Sequence, residues 1–81
     1  MSNMTTMNEK EVLWRLGQRI KKLREEKNLT QENIAFNIDT DKANISRLES
    51  GRVNPRFMTL LKVANELKLP LQELIDIEYP K

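Results

Sequence analysis

The chain has 81 residues, with 14 Lys/Arg against 12 Asp/Glu and neither Cys nor His. That length supports one domain around one small core, and the composition excludes disulfides, thiolate metal sites and histidine-based catalysis. Net charge is +2, with 11 Lys/Arg against 8 Asp/Glu in residues 1–56 and 3 against 4 in residues 57–81, a bias too mild to identify a partner without regard to placement.

The first seven residues have no basic residue and no long apolar run, so they read as an N-terminal tail and not as a signal peptide. No stretch approaches the ~20 apolar residues of a membrane helix, and a cytoplasmic protein without membrane association is expected. A helical domain is expected over residues 8–78, with a short C-terminal tail over 79–81. Its first helix starts at Asn8, which stands at capping-box spacing from Glu11, and Met7 is placed to staple onto Val12. Leu13, Leu16, Ile20 and Leu23 mark its core stripe to about residue 27. Gly17 lies beside that stripe, where a missing side chain admits a second helix, and Asn28 is a candidate left-handed cap.

Residues 30–51 read as two short amphipathic helices joined by a polar turn. Thr30 caps the first helix. Leu29, Ile34, Ala35 and Ile38 share one face, and Ile45 and Leu48 form the inner face of the second helix. Asp39-Thr40-Asp41 supplies the turn, either Thr40 or Asp41 caps the second helix, and Gly51 ends it. So short a connection forces the two helices to cross steeply, which is the helix-turn-helix unit.

A fourth helix is expected with Asn54 as its cap and Pro55 as its first residue. Its buried side is read as Phe57, Leu60, Leu61, Ala64 and Leu67. Leu69-Pro70 breaks it, and a last short helix reaches about residue 77. The fold class is therefore all-α, with five helices. Leu71, Leu74, Ile75 and Ile77 are apolar over few residues, and either close the core or form a contact between two copies of the chain.

With Ile45 and Leu48 inward, the second helix of the unit turns Ala43, Ser46, Arg47 and Ser50 outward, flanked by Lys42 and Asn44. Short side chains with one long cation suit entry into the DNA major groove. There Arg can pair with guanine O6 and N7 and Asn with adenine. Free amides at Thr30-Gln31 attract phosphate, and Arg52 and Arg56 are placed to meet the backbone beside the groove.

These residues resemble the phage-repressor/Cro-type (XRE) helix-turn-helix family. The matching positions are Arg19-Ile20, Leu23-Arg24, Leu29-Thr30-Gln31-Glu32, Ile34-Ala35, Ile45-Ser46-Arg47, Leu48-Glu49, Gly51, Pro55, Leu60 and Ala64. The resemblance implies a compact repressor-like domain with a recognition helix over residues 41–50. By the resemblance, base reading would fall to Lys42, Ala43, Asn44 and Arg47 and phosphate contact to Gln31; by placement alone, Ser46 joins the base-reading face and Thr30, Ser50, Arg52 and Arg56 the phosphate contacts. The resemblance also implies an Arg24–Glu49 pair tying the first helix to the third. Two departures stand out: Asp39 replaces the family's usual turn glycine, and Ala43 replaces a hydrogen-bonding side chain and is placed to meet a thymine methyl instead.

Trp14 and Phe36 sit opposite the apolar faces of their helices, where a chain terminus or a protein partner would cover them. The expected function is a sequence-specific regulator that binds double-stranded DNA as a homodimer at a near-palindromic site, with the chain associated with a bacterial or phage nucleoid. Two alternatives are the antitoxin of a toxin–antitoxin pair and a restriction-modification controller. No enzyme, cofactor, metal or small-molecule effector is expected, since no phosphate-cradling glycine loop or gathered catalytic set occurs.

Overall fold

Asn8 opens the first helix by accepting a hydrogen bond from the Glu11 amide at 3.2 Å, and α1 runs over Glu9–Glu26. The capping box is only half formed there, because the Glu11 carboxylate turns to Arg15 four residues on. The computed structural model describes residues 8–79. The expected tail over residues 1–7, the Met7 staple and residues 80–81 lie outside the described residues.

Four more helices follow: α2 over Gln31–Asn37, α3 over Lys42–Glu49, α4 over Phe57–Glu66 and α5 over Leu71–Leu74, with no strand among the described residues. Thr30 and Asn33 satisfy each other at the start of α2. The Thr30 hydroxyl accepts from the Asn33 amide at 3.0 Å, and the Asn33 side chain accepts from the Thr30 amide at 2.9 Å. This is the capping box with Asn in place of Glu. Asp41 caps α3 by accepting from the Asn44 amide at 2.9 Å.

The four longer helices all end in one way. Asn28, Asp39, Gly51 and Lys68 take positive φ of 59°, 59°, 76° and 57°. The next amide then returns to a carbonyl five residues back: Leu29 to Arg24 at 3.2 Å, Thr40 to Ala35 at 2.9 Å, Arg52 to Arg47 at 2.9 Å and Leu69 to Ala64 at 3.0 Å. This Schellman closure satisfies carbonyls that the helix leaves open and turns the chain sharply toward the next element.

The core gathers Leu16, Ile20 and Leu23 from α1, Ile34 and Ala35 from α2, Ile45 and Leu48 from α3, and Val63 and Ala64 from α4, with Leu67 just after it and Leu74 from α5. Truncating any of the large ones to Ala is expected to cost about 2–5 kcal/mol.

Several expectations need correction. Helix α4 starts at Phe57 and not at Pro55: residues 53–56 lie outside any helix, Val53 bends against the core, and Arg56 is the cap residue, at φ −71° and ψ 152°. Its inward stripe is Leu60, Val63, Ala64 and Leu67 at i, i+3, i+4 and i+7, so Val63 takes the place expected for Leu61. Phe57, in the first turn, is 62% exposed. Leu13 is only half-buried, and the α1 stripe starts one turn later. Helix α5 is a single turn ending at Leu74. The side chain of Leu74 is completely buried in the core, so it cannot serve as a contact between copies. Leu71, Ile75 and Ile77 pack partly against the same core.

Two arginines of α1 hold the C-terminal stretch. Arg15 donates to the Glu78 carbonyl at 2.8 Å. Arg19 donates to the Glu73 carbonyl at 2.9 Å and to its carboxylate at 3.2 Å.

Candidate nucleic-acid interface

Helix α3 is amphipathic over only eight residues. Ile45, Leu48 and Glu49 are buried, while Lys42, Ala43, Asn44, Ser46, Arg47 and the following Ser50 are exposed. The outward face therefore comprises the residues that the spacing predicts. Lys42, Arg47, Arg52 and Arg56 form no salt bridge among the described residues, and Arg52 and Arg56 are exposed beyond the end of α3. Among the described residues no His/Cys/Asp/Glu cluster is arranged to hold a metal, and no helix is long and apolar enough to cross a membrane.

The inner side of α3 is fixed by charge as well as by packing. Arg24 Nε donates to Glu49 Oε2 at 2.7 Å and its Nη2 donates to Glu49 Oε1 at 3.0 Å, a two-pronged pair between α1 and α3. A third Arg24 donor reaches the Leu29 carbonyl at 2.6 Å. Its hydrogen bond to Glu49, opposed by burial, holds the guanidinium above its ordinary pKa. No buried side-chain polar atom among the described residues lacks a partner, so the pair is satisfied as well as buried.

Gln31 joins this pair. Its Nε2 donates to Glu49 Oε1 at 2.9 Å, which sets the start of α2 beside the end of α3. One amide donor of Gln31 is thus committed inward, leaving its second donor and its carbonyl for any outward contact. Thr30 is exposed, but its hydroxyl is engaged in the cap of α2.

On the outer side, the Thr40 hydroxyl accepts from Asn44 Nδ2 at 2.7 Å, and Asn44 Oδ1 accepts from Arg47. Ser50 Oγ turns back to the Arg47 carbonyl at 3.2 Å. Thr40 and Asn44 also border a cleft of about 310 Å³ whose lining includes Ile45 and Leu48. From sequence, Thr40 stood only as an alternative cap. The available signal was its i,i+4 spacing to Asn44, the separation at which helical side chains meet.

Trp14 is 54% exposed and Phe36 is 84% exposed, so the described residues leave Phe36 essentially uncovered. Trp14 borders a shallow groove with Arg15, Lys22, Ile77 and Glu78, which brings the C-terminal stretch to its edge.

A family model described as a helix-turn-helix domain matches residues 17–80. The control protein C.MunI of a Mycoplasma species is 42% identical over 66 residues, covering 79% of this chain and 89% of the relative. The immunity repressor protein of Bacillus phage phi105 is 33% identical, over 78% of this chain and 44% of its own length. Of solved structures, the restriction-modification controller protein C.AhdI from Aeromonas hydrophila superposes with a TM-score of 0.74 at 35% identity, covering 76% of this chain and 94% of that one. PlcR from Bacillus thuringiensis, crystallised with the peptide PapR7 and DNA, gives a TM-score of 0.72 at 34% identity over 79% of this chain and 22% of its own.

Proposed function

The chain belongs to the helix-turn-helix family of DNA-binding transcription regulators, and from that we propose that it binds double-stranded DNA as a homodimer on a near-palindromic operator. Helix α3 enters the major groove. Lys42, Ala43, Asn44, Ser46 and Arg47 face the base edges, and Thr30, Gln31, Ser50, Arg52 and Arg56 meet phosphates on either side. The observation that carries this reading is the division of α3 between a sealed inner face of Ile45, Leu48 and Glu49 and an outer face with nothing packed on it among the described residues. A helix held so rigidly from behind presents its outer side chains at fixed positions, which base readout requires.

Leu71, Ile75 and Ile77 keep part of their apolar surface exposed and form the proposed contact between copies, together with whatever surface the two-fold axis brings near them. The two recognition helices would then lie about 34 Å apart, one turn of duplex. Trp14 and Phe36 remain as candidate contacts for a protein partner.

The near full-length match to C.MunI and C.AhdI favours a restriction-modification controller over an antitoxin, because both relatives are scarcely longer than the region matched. Selection of bound duplex from a random pool tests the central reading. A motif with two-fold symmetry is expected. Recovery of no motif, or of a motif without symmetry, would overturn it.

A further inference from the structure

We infer that Thr40 and Asn44 act as positioning residues that aim the Arg47 guanidinium, and that Asn44 does not itself read a base. This rests on the reading of α3 as the recognition helix and revises the role of one of its residues.

The argument starts from donor and acceptor chemistry. A guanidinium carries five donors and no acceptor, so the Asn44 atom facing Arg47 must be the amide oxygen. The amide nitrogen is then forced toward Thr40, whose hydroxyl oxygen accepts at 2.7 Å. Each link thus fixes the next one: Thr40 sets the amide plane of Asn44, and that plane sets Arg47.

Bidentate pairing with adenine needs the oxygen and the nitrogen of an Asn amide on one free edge. Here one lone pair of the oxygen is turned to Arg47 and one N–H of the nitrogen to Thr40, so swinging the amide edge onto an adenine would give up the contacts that hold Arg47. Arg47 is in the opposite condition. Among the described residues only one of its five donors is spent, and a parallel pair remains for guanine O6 and N7. An exposed arginine ordinarily loses considerable rotamer freedom when it docks on a base. Holding it beforehand reduces that loss, and a group already aimed discriminates better between bases.

Thr40 is well suited to anchor the chain of contacts. Its backbone amide is tied to the Ala35 carbonyl at 2.9 Å in the closure of α2, which fixes its main chain ahead of α3 with the hydroxyl in reach of Asn44. Changing the side chain to Val keeps the branched shape and removes the hydroxyl, and with it the acceptor for Asn44.

The test compares the full chain with Thr40→Val, Thr40→Ser, Arg47→Ala and the Thr40→Val/Arg47→Ala double variant, on duplex selected from a random pool and on random duplex. Thr40→Val should reduce preference at the base lost in Arg47→Ala by about three- to tenfold while leaving random-duplex affinity unchanged. Thr40→Ser should restore that preference, and Thr40→Val should have no effect in the Arg47→Ala background. Additive losses, a loss at a different base, or no rescue by Ser would overturn the inference while leaving the reading of α3 intact. If Arg47→Ala leaves the selected motif unchanged, both fall together.

Discussion

A methyl group added at Gly17 would lie 2.6 Å from the Glu49 carbonyl carbon and 2.5 Å from the Leu48 carbonyl oxygen. The last turn of α3 therefore rests directly on the backbone of α1, and only hydrogen at position 17 permits that approach. Two effects compete in Gly17→Ala. Helix propensity favours Ala by about 1 kcal/mol, whereas overpacking against an immobile backbone costs about 1–3 kcal/mol or more. The neighbours here are main-chain atoms that cannot rotate away, so the clash should win. Urea unfolding is expected to give a lower midpoint for Gly17→Ala than for the parent; a raised midpoint would mean that α3 can slide off α1 freely.

The pair that Glu49 makes with Arg24 leads to a second expectation. Removing the carboxylate by Glu49→Ala leaves a buried guanidinium with only the Leu29 carbonyl among its shown partners, which costs about 3–5 kcal/mol. Replacing both residues with Leu or Met should cost much less, since no charge is then stranded. The direction of the Arg24 shift also sets the pH behaviour. A raised value means that its contribution is fully present below the ordinary guanidinium pKa and is lost only as pH climbs through the higher folded value. Stability measured from neutral pH to about pH 10 should therefore contain no decline from Arg24. A midpoint for Glu49→Ala equal to that of the parent would remove the pair from the account.

The helix ends can be improved. Lys68 and Asp39 hold the left-handed conformation at φ 57° and 59°, a region that costs non-glycine residues about 1–2 kcal/mol, less for Asp and Asn. Glycine relieves that strain but adds freedom to the unfolded chain worth about 0.4–1 kcal/mol. The balance should favour Lys68→Gly by about 0.5–1 kcal/mol, favour Asp39→Gly by less, and leave Asn28→Gly near zero. Thermal melts of the three variants check this order, and a lowered Tm for Lys68→Gly would contradict it.

On DNA, Arg47→Ala should lose about 1–3 kcal/mol of preference at one base in each half-site. Arg52→Ala and Arg56→Ala should weaken cognate and random duplex alike, each reducing the slope of log K against log salt by about 0.9. Binding titrations on both duplexes across a salt series separate these behaviours. Equal losses on both duplexes for all three variants would erase the distinction between base and backbone contacts.

The features readable from sequence are those set by local chemistry. Thr30, Asn28 and Asp39 stand where caps and left-handed turns need such residues. Gly17 and the periodic Leu16, Ile20 and Leu23 announced a helix that another would approach closely. The family resemblance pointed to Arg24 and Glu49, whose geometry neither spacing nor composition specifies. What escaped was decided by distant parts of the chain. The start of α4 moved from Pro55 to Phe57, with Val53 laid against the core ahead of it. Val63 replaced Leu61, since two neighbouring apolar residues leave helical phase open until a partner surface selects one of them. Leu74 looked equally suited to an interface, and only the three-dimensional packing placed it wholly inside. At the site, helical phase turned Arg47 and Asn44 outward but did not show that they are joined, because a contact between exposed side chains three residues apart is set by their rotamers.

The polar contacts of Arg15 and Arg19 with residues 73–78 include two main-chain oxygens, those of Glu73 and Glu78. An oxygen of that kind is supplied by any amino acid, so the grip of Arg15 does not depend on which side chain stands at position 78. Position 78 can therefore be recoded without losing that contact, whereas Leu74, Ile75 and Ile77 stay bound by their side chains to the core.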